Sequence, residues 1–536
     1  MKRTIIPIVL TIVIGLVIFY FALPAINLTN PGFYAYISFI ALAYGMIDAL
    51  AQELSRTEKI PKRGKKHIFT SLDYKFTYII GIVVCEAVLI GIVNFICSPI
   101  FNAKSYQTRI TVEDGNFAEE IAEVNFSQLP LLDKKSSQVL GDRVMGEISE
   151  LVSQFYVSDL YTQINYNNDI VRVTPLEYAD FFKWLANKDK GVVGYITVNS
   201  VNGESKLNRL EKGMKYASSG YFNDNLKRKL RFSYPTTNFG KISFEIDNEG
   251  HPYYIVPTIK YTAVGLKAKV TGVIIFDPIT GDSKKYAIDE IPTWVDIAYS
   301  ASLIIEQVDD WGTYVNGYWN SVFGQKNVVN TTEGYNYLAM NDDVYLYTGI
   351  TSVVSDESNL GFILTNMRTG KTKYYNVPGA EEYSAMGSAE GQVQDLGYES
   401  TFPLLINLNG RPTYLVSLKD SNGLVKMYGF IDVKDYQKVS VTDASKGIIT
   451  AKDNYLASIK KEAKDEELTI EDIKVDSITT ANINGYTIYY IKSGDKKFKA
   501  SINLSDELPF VSNGDTIKIG YYDSDTSIIE VEKIYK

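Results

Sequence analysis

The sequence predicts three transmembrane α-helices followed by an α+β ectodomain of repeated small antiparallel sheet units and a C-terminal small β-barrel. Three observations predict it. Three apolar runs of membrane length stand within the first 100 of 536 residues. A glycine-led strand–turn–strand pattern recurs through the middle of the chain. Residues 471–536 alternate apolar and polar in short runs broken by Asn/Gly turns.

The apolar runs are Ile5 to Leu23, Phe33 to Leu50 and Phe76 to Ile100. A helix needs about 20 apolar residues to cross the hydrocarbon core, and only helices or closed barrels satisfy their backbone there. Lys2 and Arg3 ahead of the first run also fit a signal peptide. The length of the run, the lack of a small-x-small cleavage site and the two spans behind it favour a retained helix. The link from Pro24 to Pro31 has no Lys or Arg, whereas the next link holds Arg56, Lys59, Lys62, Arg63, Lys65, Lys66 and Lys75. Short loops rich in Lys and Arg stay cytoplasmic. The N-terminus and the basic loop are therefore expected inside the cell membrane, and everything after Ile100 outside. Residues 1–100 hold 9 Lys/Arg and 5 Asp/Glu, a net +4; the remainder hold 45 and 58, a net −13. Such an ectodomain repels polyanions, so no nucleic acid is an expected partner.

Glu86 stands near the middle of the third run, in Ile82-Val83-Val84-Cys85-Glu86-Ala87-Val88. A carboxylate at mid-depth is costly. Two readings stand: a contact to a partner helix or a proton-linked site, or a neutral Glu bonded to a hydroxyl of its own bundle such as Thr11 or Ser38. Asp48, at the inner end of the second run, is expected to reach the interface.

Both cysteines, Cys85 and Cys97, lie in the third run, so the ectodomain has no disulfide. A domain of this size can bury several cores without one. Cysteine-free exported domains rich in Tyr, Asn, Ile and Lys resemble those of low-GC Gram-positive bacteria. The two histidines, His67 and His251, allow no His/Cys metal cluster outside and no Ser-His-Asp arrangement. No phosphate loop, dinucleotide fingerprint, EF-hand or zincin helix occurs. The paired acids Asp309-Asp310 and Asp342-Asp343 read as solvated strand edges rather than as cation ligands or glycosidase carboxylates. No enzyme activity, cofactor or metal is expected.

Repetition is the strongest signal in the ectodomain. Gly194-Tyr195-Ile196-Thr197-Val198-Asn199 leads into Asn202-Gly203, Gly272-Val273-Ile274-Ile275-Phe276-Asp277 into Thr280-Gly281, and Gly361-Phe362-Ile363-Leu364-Thr365-Asn366 into Thr369-Gly370. Gly429-Phe430-Ile431-Asp432-Val433 is a degenerate fourth copy. Each reads as strand, tight turn with glycine at positive φ, and return strand. A second pattern matches Phe244 to Val256 with Leu405 to Val416. Together they give two related α+β units, 151–350 and 351–442. The order "polar residue, Gly, x, Pro, aromatic strand", followed by strand, Asp-x-x-Thr-Gly, strand, resembles PepSY-type modules, the small α+β units of peptidase propeptides and of Gram-positive membrane-anchored regulators. Asp277 to Gly281 fits that turn closely, and Asn366 to Gly370 fits with Asn for Asp. The resemblance implies a helix packed on a small antiparallel sheet, and protein binding or peptidase restraint without chemistry. Long aromatic inserts between the modules depart from the family pattern.

A helix is expected from Ile291-Pro292 onward, with Leu303, Ile304, Val308, Trp311, Val315, Trp319 and Phe323 on one face and Tyr314 and Tyr318 beside it. This stripe is core or a stacking surface for glycan or peptide. Gly379 to Gln394, with Tyr383, Ser384, Met386, Gly387, Ser388 and Glu390, is a small-residue segment that permits close backbone approach. It reads as a partner loop or as a packed helix-turn. Its counterpart in the first unit is Tyr216 to Phe222, including Tyr221. Residues 101–150 are expected to form a stem and an amphipathic helix, Ser136 to Tyr156. Residues 443–470 are expected to be a charged linker with a helix from Lys452 to Glu467, and 471–536 a barrel similar to OB or SH3 folds. The expected role is a membrane-anchored extracytoplasmic binding or scaffold protein of the bacterial cell envelope, with protein or cell-wall partners. Regulation or inhibition of an exported peptidase or wall hydrolase is the alternative.

Overall fold

The computed structural model describes residues 2–57, 74–121, 126, 129–340, 342–353, 355–462, 469–483, 486–505, 507–522 and 528–535. Most of the basic link, from 58 to 73, and the Asn484-Gly485 turn lie outside the described residues. Helices α1 (Lys2–Ala22), α2 (Pro31–Thr57) and α3 (Tyr74–Ile96) are long and apolar enough to cross a bilayer. α1 packs on α2 around Gly15, whose carbonyl accepts from the Tyr36 hydroxyl at 3.0 Å. The third helix ends four residues short of the expected Ile100. Pro99 has no N–H to continue it, and a separate short helix, α4 (Pro99–Gln107), begins there. Asp48 is buried among the helices and accepts from the Gln52 amide at 2.9 Å.

The chain falls into two compact units, Met1–Ile448 and Ile449–Lys536. Beyond α4, the first unit is built from four small sheets of one topology. The first comprises Phe155–Val157, Thr162–Tyr166, Asp169–Tyr178, Val192–Asn199 and Ser205–Met214. The second comprises Asn238–Phe239, Ser243–Ile246, Pro252–Tyr261, Ala268–Phe276 and Ser283–Ala287. The third comprises Val329–Thr331, Asn336–Met340, Asp343–Ser352, Ser355–Asn366 and Thr372–Tyr375, and the fourth Glu399–Ser400, Leu404–Leu408, Arg411–Lys419, Val425–Asp432 and Val439–Asp443. In each, the two short strands flank one side of the long third strand, which then meanders through the fourth to the fifth. A helix precedes each sheet: Lys134–Gly146, Leu226–Ser233, Ala301–Thr313 and Glu382–Gly391. The range 151–350 therefore spans two whole sheets and part of a third.

The recurring glycine pattern marks the same place in every copy. Asn199, Asp277, Asn366 and Asp432 each close the turn after the fourth strand by accepting two backbone N–H groups with the side-chain oxygen, an Asx turn. Gly203, Gly281 and Gly370 sit at φ +78°, +82° and +73° in these turns. The fourth copy lacks that glycine and closes instead with Lys438 N donating to Asp435 O. This longer turn explains its degenerate sequence.

The second sheet is buried on both faces. Tyr254, Val256, Ile274 and Phe276 join the core of the first sheet, while Ile255, Val273 and Ile275 join that of the third. Side chains alternate along a strand, so this sandwiching accounts for the unbroken apolar runs Tyr254-Ile255-Val256 and Val273-Ile274-Ile275-Phe276. The 101–150 segment is woven into the same body. Val112–Gly115 adds a parallel strand beside Thr372–Tyr375, and Lys419 pairs with Asp133 at 2.6 Å.

Two helix expectations change. Residues 291–300 are not helical, because their backbone donors are used across the fold. Asp296 N and Ile297 N donate to the Glu245 carboxylate, and Ala298 N and Tyr299 N to the Met367 carbonyl. The helix starts at Ala301. The expected Ser136–Tyr156 helix breaks after Gly146 into a one-turn Ser149–Val152 helix, and Phe155 enters a strand.

The second unit contains all but the first residue of the Ile448–Glu462 helix and a six-stranded sheet. The helix begins before the expected Lys452; 463–468 lie outside the described residues. The expected small β-barrel is only a curled half-barrel. Its edge strands, Thr469–Lys474 and Ser477–Ile483, are two arms of one bent segment. At the bend Val475 N donates to Asp515 O and Asp476 N to Lys492 O, so each arm pairs with a different neighbour and no ladder joins them among the described residues.

Candidate interaction surface

The end of α1, the start of α2 and the end of α3 meet at one pole, and the second sheet sits on it. Ile26 N donates to Pro235 O at 2.8 Å, Asn27 Nδ2 to Thr236 O at 2.9 Å and Gly265 N to Thr29 O at 2.9 Å. Asn30 Nδ2 donates to Asn238 Oδ1 at 2.8 Å, and Asn94 exchanges bonds of 3.0 and 3.1 Å with the backbone of Val264. Two arginines of the Leu226–Ser233 helix complete the joint. Arg228 Nε donates to Tyr20 O at 3.0 Å with its guanidinium 4.2 Å from the Tyr20 ring centroid. Arg231, buried, donates to the carbonyls of Leu23 (3.1 Å), Tyr234 (3.1 Å) and Thr237 (2.7 Å) and lies over Phe239.

Beside this joint the surface is aromatic. Asp180 caps the Phe181–Asn187 helix by accepting from Phe182 N and Lys183 N. Phe181 and Trp184 on that helix pack against Tyr221 and Phe222 at ring separations of 5.0–6.4 Å. Trp184 is buried and donates to Asp224 at 3.3 Å. Phe182, Leu185, Phe222 and Phe232 are left 73, 47, 53 and 54 % exposed. Phe222 adopts φ +47°, unusual for a bulky residue. Arg228 holds it there by donating to its carbonyl, and the Tyr20 hydroxyl donates to neighbouring Asn223 at 3.4 Å. Tyr216, earlier on the same segment, packs on Phe276 with Lys215 and Lys229 over its ring.

The remaining candidates fall on other elements. Trp311 is half-buried against Tyr374, beside a small apolar cavity shared with Val315, Val329 and Ile350. Tyr314 packs on Tyr106 of α4 at 6.0 Å. The regular helix ends at Thr313 and the chain turns before a second short helical stretch over 318–324, so Trp319 and Phe323 leave the expected stripe. Trp319 stacks on Phe323 at 5.9 Å, and these two rings are 63 and 78 % exposed. Tyr383, Ser384, Met386, Gly387, Ser388 and Glu390 lie on the helix before the fourth sheet, which buries Ala385 and Ala389. Tyr383 and Gly387 face outward, and Glu390 accepts from Ser400 N at 2.8 Å. Glu86 accepts from the Ser38 hydroxyl at 2.9 Å, while its second oxygen is buried without a hydrogen-bond partner among the described residues. Thr11 instead turns to the carbonyl of Pro7.

Three of the four paired acids are structural rather than solvated, while Asp342 is exposed. Asp309 accepts from Thr331 N and Oγ1, Asp310 is ion-paired with Arg109, and Asp343 holds Arg368 at 2.8 Å. No group of three or more His, Cys, Asp or Glu side chains is placed to hold a metal ion among the described residues. Glu245 of the second sheet and Asp296 of the 291–300 segment are fully buried together. Burial pushes Glu245 up to about 7, and burial plus the Glu245 charge pushes Asp296 well above the usual carboxylate range. Raised acid pKa values stabilise the fold below the unfolded values near 4, and that contribution is lost as pH rises through the folded ones. Wild-type stability should therefore decline from pH 5 to pH 8. Asp296→Asn keeps an oxygen to accept from Asn165 N and removes one charge. It should raise the melting temperature at pH 8 by about 2–4 °C and flatten the decline. A variant curve parallel to the wild-type curve would refute the role of this pair.

Sequence reasoning missed Phe182, Leu185, Arg228, Arg231 and Phe232. The aromatic-basic strings Phe181-Phe182-Lys183-Trp184-Leu185 and Leu226-Lys227-Arg228-Lys229-Leu230-Arg231-Phe232 carried a signal for them. No known family and no curated protein matches the chain.

Proposed function

We propose that this chain is a membrane-anchored binding or scaffold protein of the bacterial cell envelope. Its N-terminus is cytoplasmic and its sheet units are extracytoplasmic. The observation that carries the proposal is the joint at the pole of the three helices. The loop 23–30 and Asn94 are hydrogen-bonded into the second sheet, so the four sheet units stand directly on the anchor as a rigid platform rather than on a tether. Exposed aromatic sites, above all Trp319 and Phe323, offer contact surface for a protein or cell-wall partner. Aromatic rings supply large contact area at low entropy cost. Glu86, with one oxygen unsatisfied, offers a contact to a partner helix within the bilayer.

A regulator of an exported peptidase or wall hydrolase is the second reading. It is favoured by the helix-then-sheet unit with its Asp/Asn-x-x-Thr-Gly turn, in the manner of PepSY-type modules.

Crosslinking with mass spectrometry on the full-length protein in native membranes tests both. Under the scaffold reading, Glu86→Leu reduces capture of a membrane partner several-fold, and Trp319→Ala reduces capture of an envelope partner. Under the regulator reading, one hydrolase is captured equally by wild type and Glu86→Leu. Capture unchanged by either variant, with no hydrolase among the products, defeats both.

A further inference from the structure

We infer that the sheet region rests on the outer leaflet of the bilayer through an aromatic and basic footing. Its residues are Phe182, Leu185, Tyr221, Phe222 and Phe232, with the Leu226–Ser233 helix at headgroup level. The inference rests on the reading of α1–α3 as membrane spans and adds a lipid-binding surface to it.

Depth is set by contacts with α1. The Phe232 ring packs edge-on against Phe19 at 5.7 Å and lies 6.2 Å from Tyr20. Both partners belong to the apolar span window Ile5–Ala22. A ring touching Phe19 stands at the level of the span itself, yet Phe232 is 54 % exposed where no protein covers it. Phe222 is tied to the same level through Arg228, which bridges its carbonyl to that of Tyr20. The Phe181–Trp184–Tyr221–Phe222 cluster then carries Phe182 and Leu185 outward on a short, capped helix.

Chemistry agrees with depth. Aromatic rings collect at membrane–water interfaces, and basic side chains beside them reach the phosphates. Of the four cations on this helix, Arg231 is turned inward to the joint, and Lys227, Arg228 and Lys229 stand beside the rings. Lys227 is exposed, and Lys188 lies over the Trp184 ring at the edge of the patch. In water, this contiguous apolar surface would be a liability for a soluble face. Against acyl-chain ends and glycerol it is satisfied. The occupant is the phospholipid surface because the patch is continuous with the spans; a surface built for a soluble partner would stand clear of them.

The test uses the intact wild-type protein reconstituted into nanodiscs of phosphatidylcholine and phosphatidylglycerol. The lipid carries a photoactivatable diazirine on its acyl chain near the carbonyl. After irradiation and digestion, the peptides covering 181–185 and 221–232 should be labelled together with α1–α3, while the 205–214 strand stays unlabelled. Label on α1–α3 with none on 181–185 or 221–232 overturns the footing, whether water or a protein covers it instead. No label on α1–α3 overturns the spanning reading beneath it. A nitroxide on Phe232→Cys, in a Cys85→Ala/Cys97→Ala background, gives a second measurement. It should collide more with oxygen than with a nickel chelate, as a lipid-exposed site does; the reverse order also overturns the proposal.

Discussion

A Gly272→Ala variant is expected to melt about 6–12 °C below the wild type, from a loss of about 3 kcal/mol. Gly272 begins the apolar half of the fourth strand of the second sheet, directly after a register shift from Val270. A Cβ there would fall inside 3.0 Å of the Tyr286 carbonyl oxygen, and close to its carbon and to the Cα of Ala287. These are backbone atoms of the neighbouring strand, so no rotamer change relieves the clash. The strands would have to part in a sheet whose two faces hold two cores together. Gly194 and Gly361 meet the carbonyls of Asn208 and Tyr375 in the same way, so the glycine is a property of the repeat. Gly387→Ala is the control. It lies in a helix with open space around it and should stabilise by about 0.5–1 kcal/mol. Differential scanning fluorimetry in detergent reads both; equal melting temperatures for Gly272→Ala and wild type would refute the close-approach argument.

The second large effect is at Arg231. Arg231→Ala should cost about 2–4 kcal/mol, because a buried guanidinium leaves and the carbonyls of Leu23, Tyr234 and Thr237 lose their donor. Arg231→Lys should recover less than half of this loss. A lysine ammonium cannot span carbonyls arranged around a planar fork, nor lie flat over Phe239. Beyond stability, the variant loosens the joint between the 23–30 loop and the second sheet. Amide hydrogen exchange at 24–30 should speed up at least tenfold, while exchange in the fourth sheet stays as in wild type. Full recovery by lysine would show that charge alone, not the fork, holds the joint.

These two residues differ in how legible they were. Gly272 announces itself: a glycine opens each copy of a repeated strand, and a repeat needs a backbone reason for that choice. The turn residues Asn199, Asp277 and Asn366 were readable on the same grounds, since Asx turns and positive-φ glycines are local. The three apolar helices were readable because bilayer thickness sets their length and composition. Arg231, by contrast, sits in a basic string that looks solvent-exposed. Nothing local says that it turns inward to the carbonyl of Leu23, more than 200 residues earlier. The Asp309-Asp310 pair was misread for the same reason: its partners, Thr331 and Arg109, come from distant segments. Residues 291–300 have helical spacing but give their N–H groups to Glu245 and Met367, partners that only the packed sheets provide.

By itself, then, the sequence determined the local features: three membrane-length helices, a repeated hairpin with its turn chemistry, and a cysteine-free acidic region rich in tyrosine. Tertiary structure decided the rest. It made one sheet topology recur four times, buried the second sheet on both faces, left the C-terminal sheet curled but unclosed, and seated the second sheet on the pole of the helices. The physical reason is range. Propensity, turn geometry and bilayer thickness act within a few residues or along one helix. Which face of a strand is covered, and which cation meets which carbonyl, depends on contacts between segments far apart in the chain.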